Sequence, residues 1–208
     1  MISYQSLTNA LSKDWFYKPN TLEKVSGVVF PLFGNAKHAE GIILTQRAKH
    51  LKSHPGQISF PGGVLEPTDQ SLLDCALREW EEEMGVSQSA LEVLGRLTGL
   101  QTRTGFHITP FLANYKGDFQ FPFNKDEVES VFVTNFSELW ECPFYAIQIP
   151  NQKPGDFAYY FDLKGGLLWG ATCEIILGFL KQFLSFDRIP KIVKPNLTFP
   201  PFLNPKIL

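Results

Sequence analysis

The sequence predicts an α/β protein in which a mixed central sheet lies between helices. Three observations carry the prediction. Runs rich in β-branched and aromatic residues recur along the chain, for example VSGVVFPLF at 25–33 and GIILTQ at 41–46. Two longer stretches, ending near Gly85 and Phe186, place apolar residues at helical spacing. Strand-like and helix-like segments also alternate instead of falling into separate blocks.

Residues 3–14 suit a short helix, with Ser3 or Ser6 available as its cap. The runs 25–33 and 41–46 are separated by Gly34-Asn35 and a polar loop, which predicts a hairpin-like pair buried on both faces. The β-type run 57–60 leads into a Pro61-Gly62-Gly63 turn. After a short loop, Asp69 or Ser71 can cap a helix that stops at Gly85. Further strands are expected at 91–100 and 106–115, joined by a polar turn at 101–105, with His107 as a strand or core histidine. A loop at 119–129 leads to a strand at 130–136, and the run 157–163 reads as the last strand. A second helix, capped by Thr172, should then run to about Phe186, with Ile175, Ile176, Phe179, Leu180 and Phe183 as core. From Asp187 onward five prolines preclude a regular helix, leaving an ordered wrap over the domain or a mobile end. With no repeats and no linker, the 208 residues are expected to form one domain, carrying an N-terminal helix and a proline-rich C-terminal tail at about 187–208.

A net charge of −2 gives no general attraction to nucleic acid, so an anionic ligand needs local positive charge. No stretch is long enough to span a bilayer, and the first residues lack the pattern of an export signal. Cys75, Cys142 and Cys173 are odd in number and lack CxxC spacing, which argues against a disulfide framework or structural zinc and favours a cytoplasmic protein. Most of the 19 phenylalanines are expected in the core.

The chemistry is expected in residues 60–86, FPGGVLEPTDQSLLDCALREWEEEMGV. With successive helical residues about 100° apart, and Glu79 at zero, Glu82 falls at about −60° and Glu83 at about +40°. Three carboxylates therefore share one arc, while Ala76, Trp80, Leu73, Met84 and Leu77 occupy the neighbouring arc and can face a core. Like charges at this spacing destabilise a helix by about 0.2–0.5 kcal/mol per pair, and a divalent cation is the natural compensation. Arg78, one turn before Glu82, can orient that carboxylate. Glu81 lies on a different arc and is read as a solvated charge. Cys75 has no nearby base in the sequence and ranks low as a nucleophile. Upstream, residues 47–57 (RAKHLKSHPGQ) carry three Lys or Arg residues, two of the four histidines and no acid. Their place just before the glycine turn favours binding of an anion over a merely solvated loop.

Residues 78–86, REWEEEMGV, resemble the RExxEExG core of the Nudix box, the signature of hydrolases that cleave a nucleoside diphosphate linked to another group. The upstream acid is Asp69 instead of Glu, with eight residues before Arg78 where the usual box has seven, so Asp69 is given only the part of a cap. Residues 44–63 resemble the LTxRSxxLxxHxGxxxFPGG signature of the coenzyme A pyrophosphatase branch, with Ala48 in place of Ser. The longer box spacing also occurs in that branch, and residues 169–172, WGAT, resemble a second short pattern of it. Residues 124–128 resemble the family's Asn-x-x-Glu-Val arrangement, which brings Glu127 to the metal site; an exposed loop acid is an equally good account of that residue.

The resemblance implies a Nudix-type α/β/α sandwich that hydrolyses the pyrophosphate bond of coenzyme A or a derivative, giving 3′,5′-ADP and 4′-phosphopantetheine, with Mg²⁺ or Mn²⁺. It implies metal ligands Gly63, Glu79, Glu82 and Glu83, a proton acceptor among Glu82, Glu83 and Glu127, and a coenzyme A recognition segment containing Arg47, His54, Gln57 and Phe60. Two rivals stand beside it: another nucleoside diphosphate substrate, such as ADP-ribose or a dinucleotide, and a non-catalytic ligand sensor. The expected partner is the small-molecule substrate, with no nucleic acid and no membrane; a homodimer is left open.

Overall fold

A computed structural model describes residues 1–20, 24–149, 153 and 155–193. Strand β1 (Ile2–Ser3) leads into helix α1 (Tyr4–Ala10), where the Ser3 hydroxyl accepts from the Ser6 amide as the cap rule expects. The apolar runs that follow form β2 (Lys24–Gly34) and β3 (His38–Arg47), an antiparallel hairpin that pairs only near its turn, from Leu32↔Ile42 to Gly34↔Ala39. Beyond Leu32 and Ile42 the two strands part. Two short strands fill the opened edges: β4 (Ile58–Ser59) pairs with Thr45 and Gln46 of β3, and β5 (Gly62–Val64) pairs with residues 26–28 of β2. The expected glycine turn is therefore a strand, because β2 offers it an unpaired edge; the Val29 amide donates to the Pro61 carbonyl at 2.9 Å.

Helix α2 (Leu72–Met84) comes next, and Ser71 alone caps it, accepting from the Asp74 amide. Gly85 ends the helix at φ 65°, a left-handed conformation that glycine adopts without strain. The expected strand at 91–100 is split into β6 (Leu91–Arg96) and β7 (Leu100–Gln101), both antiparallel to β8 (Phe106–Tyr115). β8 runs parallel to β2, which makes the sheet mixed. β9 (Val128–Asn135) pairs with the outer edge of β3 and ends one residue early, because Asn135 caps α3 (Phe136–Glu141) through a capping box with Glu138.

The run 157–163 is not the last strand. β10 (Phe144–Gln148), β11 (Phe157–Leu163) and β12 (Gly166–Trp169) form a second antiparallel sheet. Helix α4 (Gly170–Phe183) begins two residues before the expected cap, with Trp169 at the N-cap position and no side-chain cap bond, and it ends three residues before Phe186. Part of the proline-rich tail is ordered: β13 (Lys191–Val193) pairs parallel with β10. The remainder, 194–208, lies outside the described residues.

The alternation of side chains along a strand sends successive residues of β2 to opposite faces of the larger sheet. Val29 joins Ile43, Phe111, Ala76, Trp80 and Met84 under α2, whereas Phe30 and Leu32 join Leu44, Ile176, Phe179 and Leu180 under α4. Trp80, Phe30 and Phe179 are fully buried. The sheet is thus held between α2 and α4, as the fold class predicted. No described helix is long and apolar enough to cross a membrane.

The two caps are separable experimentally. Ser71→Ala should cost about 1 kcal/mol, since it removes an oxygen that accepts a helix-start amide, whereas Thr172→Ala should be within about 0.5 kcal/mol of neutral. Urea denaturation of the two variants measures the difference.

Candidate active site

The site forms where β2 and β3 part. Helix α2 crosses the opened edge closely: a Cβ on Gly27 of β2 would overlap the Leu72 carbonyl, and a Cβ on Gly63 would displace the Glu79 carboxylate from its place. The Gly62 amide donates to Glu83 Oε2 at 3.3 Å, and the Gly63 carbonyl accepts from the Cys75 thiol at 3.4 Å. Glu83 is only 4% exposed. The arc that carries the acids is continuous with buried Leu72 and Cys75 one to two turns earlier, so this helix face points into the protein.

Three segments converge on this face. From α2 come Glu79 and Glu83; from the loop before β9 comes Glu127; and one carboxylate oxygen from each lies within 4.8 Å of the others. The third element is the start of the basic segment, whose Arg47 guanidinium stands 3.8 Å from Glu83. Backbone bonds lock the segments together: the Asn124 amide donates to the Glu83 carbonyl at 2.9 Å, and the Ala48 amide to the Glu127 carbonyl at 2.8 Å.

Burial drives the electrostatics. It pushes the Glu83 carboxyl up to about 8, with Glu79 and Glu127 adding repulsion while Arg47 and the Gly62 amide oppose. Glu79 is raised for the same first cause, against the pull of Arg78. The donor set fits a hard divalent cation: three carboxylates are brought together, one nearly inaccessible to water, with the Arg47 guanidinium 3.8 Å from Glu83 and the Arg78 guanidinium 3.0 Å from Glu79 as the nearby counter-charges. Such an ion would be held by Glu79, Glu83 and Glu127.

The other expected site residues lie as follows. Glu82 is on the same helix but outside the cluster: its side chain is 52% exposed and paired with Arg78 at 2.9 Å, the orienting contact that the spacing suggested. Arg78 also grips both oxygens of Asp69, at 3.0 and 3.1 Å, and this holds the Asp69 carboxyl below the usual range. Asp69 is therefore not a helix cap but the anchor of the loop–helix corner. Glu81 is not simply solvated; it accepts from the Gln88 amide at 2.8 Å. Cys75 is buried, which pushes its thiol up to about 11 and suits it poorly to attack. In the basic segment, Arg47 closes the loop by donating its amide to the Gln57 carbonyl, while His54 is exposed in a left-handed conformation at φ 55° and Gln57 is half-buried. Phe60 is 4% exposed and packs on Phe30 with ring centroids 4.4 Å apart, so it supports the segment from the core. A cavity of about 910 Å³ lies elsewhere, near the β2–β3 turn, and is lined by none of these residues.

The carboxyl shift fixes a pH dependence. Because Glu83 keeps its proton in the folded state when the unfolded chain has lost it, the metal-free protein should lose stability as pH rises from the ordinary 4.5 to about 8. Asp69 acts with the opposite sign at lower pH. Glu83→Gln should flatten the fall, worth on the order of 5 kcal/mol across the window, in thermal melts with EDTA.

Comparison with known proteins agrees with this geometry. The NUDIX domain model matches residues 23–156, more than half of the chain. A protein of Yersinia pestis (strain Pestoides F) described as "Uncharacterized Nudix hydrolase NudL" is 34% identical over 142 residues, covering 68% of this chain and 71% of that protein. The same figures hold for its counterpart in Yersinia pseudotuberculosis serotype O:1b (strain IP 31758). Among solved structures, the MutT/nudix family protein from Enterococcus faecalis superposes with a TM-score of 0.50 at 18% identity, over 81% of this chain and 65% of that one, a likeness of fold. A family match of that extent, over the segment that builds the carboxylate cluster, makes this chain a member of the Nudix hydrolase family.

Proposed function

We propose that the protein hydrolyses the pyrophosphate bond of coenzyme A or a derivative of it, giving 3′,5′-ADP and 4′-phosphopantetheine. Family membership supports cleavage of a nucleoside diphosphate derivative. The observation that carries the narrower reading is the join between two parts: the basic segment that resembles the coenzyme A branch is bonded through Arg47 and Ala48 directly to the carboxylate cluster. A ligand held along that segment has its diphosphate beside Glu79, Glu83 and Glu127.

Glu79, Glu83 and Glu127 would hold Mg²⁺ or Mn²⁺, with the Gly63 carbonyl as a further oxygen ligand. Such an ion supplies charge neutralisation of the diphosphate and activation of the attacking water. The chain's own residues do the rest. Arg47 binds a phosphate oxygen through its guanidinium. His54 and Gln57 add hydrogen bonds along the same segment, and Phe60 fixes its position by packing on Phe30. Glu82 stands outside the cluster, held in place by Arg78, and takes the proton lost by water.

A metal-dependent substrate panel with products identified by mass tests this reading. Coenzyme A with Mg²⁺ or Mn²⁺ should outpace ADP-ribose and dinucleotides, and should yield the two named products; a preference for ADP-ribose would replace the substrate. Glu83→Gln should remove activity by about 10³-fold or more, and Arg47→Ala should raise KM for coenzyme A. Glu82→Gln should lower kcat by about 10²- to 10⁴-fold with Mn²⁺ affinity retained; loss of that affinity would make Glu82 a ligand.

A further inference from the structure

Glu127 differs from the other clustered acids in standing on a loop. Glu79 and Glu83 are fixed by α2, whereas Glu127 is carried by the loop that leads into β9. Three carboxylates within 4.8 Å repel one another, and a loop acid free to turn would move into solvent. One residue opposes this with every polar group it has. The Asn124 side-chain Nδ2 donates to Glu127 Oε1 at 3.1 Å, and its Oδ1 accepts from the Asp126 amide at 3.0 Å. Its backbone amide donates to the Glu83 carbonyl at 2.9 Å, and its own carbonyl accepts from Glu127 and Val128 at 3.0 and 2.8 Å.

From this geometry we infer that Asn124 is a positioning residue: it fastens the loop to the end of α2 and aims the Glu127 carboxylate into the cation-holding cluster. This rests on the cluster being a metal site. The choice of an amide has a physical reason. A lysine or arginine in this place would also hold Glu127, but its charge would neutralise the carboxylate and compete with the cation. The Asn124 amide restrains Glu127 while leaving its charge available. The same residue acts on the basic segment, because the Glu127 carbonyl accepts from the Ala48 amide. One asparagine thereby couples the helix, the loop acid and the start of the segment proposed to hold substrate.

Mn²⁺ dissociation constants, measured by electron paramagnetic resonance on the full chain, test the inference without reference to activity. Asn124→Ser keeps an oxygen for the Asp126 amide but cannot reach Glu127, and it should weaken Mn²⁺ binding by about 10-fold or more. In a Glu127→Gln background the same substitution should change affinity by less than about twofold, since the group it aims is gone. Hydrogen exchange provides the second measurement: the backbone amides of Ala48 and of position 124 should stay protected in Asn124→Ser. Equal weakening in both backgrounds, or loss of protection at those amides, would show general loosening and overturn the positioning role, as would unchanged affinity. Glu83→Gln separates the two levels: if it too leaves Mn²⁺ binding unchanged, the metal-site reading fails and this inference falls with it.

Discussion

The packing of three carboxylates against a buried helix face is the constraint on which the rest of the structure depends. Glu83 is 4% exposed, has two acids beside it, and meets one guanidinium at 3.8 Å. An arrangement of this kind costs stability in the absence of a cation. The surrounding structure is organised to keep it in place. β2 and β3 part after a few paired residues, β5 fills the gap with glycines, and α2 settles close enough that Glu79 rests on Gly63. Asp69 and Arg78 fix the start of that helix, and Gly85 ends it just where the loop bearing Glu127 packs back. A cation held there would recover the electrostatic cost, so folding would create an affinity that the unfolded chain lacks.

The same arrangement would bring a metal and a substrate together. The basic segment begins at Arg47, whose guanidinium faces Glu83 and whose neighbour Ala48 bonds to Glu127. In the metal-free protein the guanidinium is the nearest countercharge to a buried acid. A cation among the acids would relieve it of that task, leaving its hydrogen-bond donors for phosphate.

Much of this was legible in the sequence, for reasons that differ from element to element. β2, β3, β8 and α2 are long and strongly patterned, and their centres fall where the pattern put them. The helical period also placed Glu79, Glu82 and Glu83 on one arc, and the i,i+4 rule gave the Arg78–Glu82 contact. The period cannot say which way that arc faces. The glycines of β5 decide that it faces inward, and Arg78 then draws Glu82 outward to itself. Asp69 was hidden because a polar residue before a helix has an ordinary use as a cap, which Ser71 in fact fills. The second sheet was missed because β10, β12 and β13 are short, and β13 finds its partner across more than forty residues, a pairing that no local pattern encodes. Phe60 belongs to a recognisable segment, yet its ring is part of the core, so membership in a motif did not identify a surface that meets ligand.

The most direct measurement of the central claim is the position of a bound cation. Anomalous diffraction from crystals soaked with Mn²⁺ should give a peak enclosed by the carboxylates of Glu79, Glu83 and Glu127, beside Gly63. A peak at any other place in the molecule, with none at this cluster, would contradict the account.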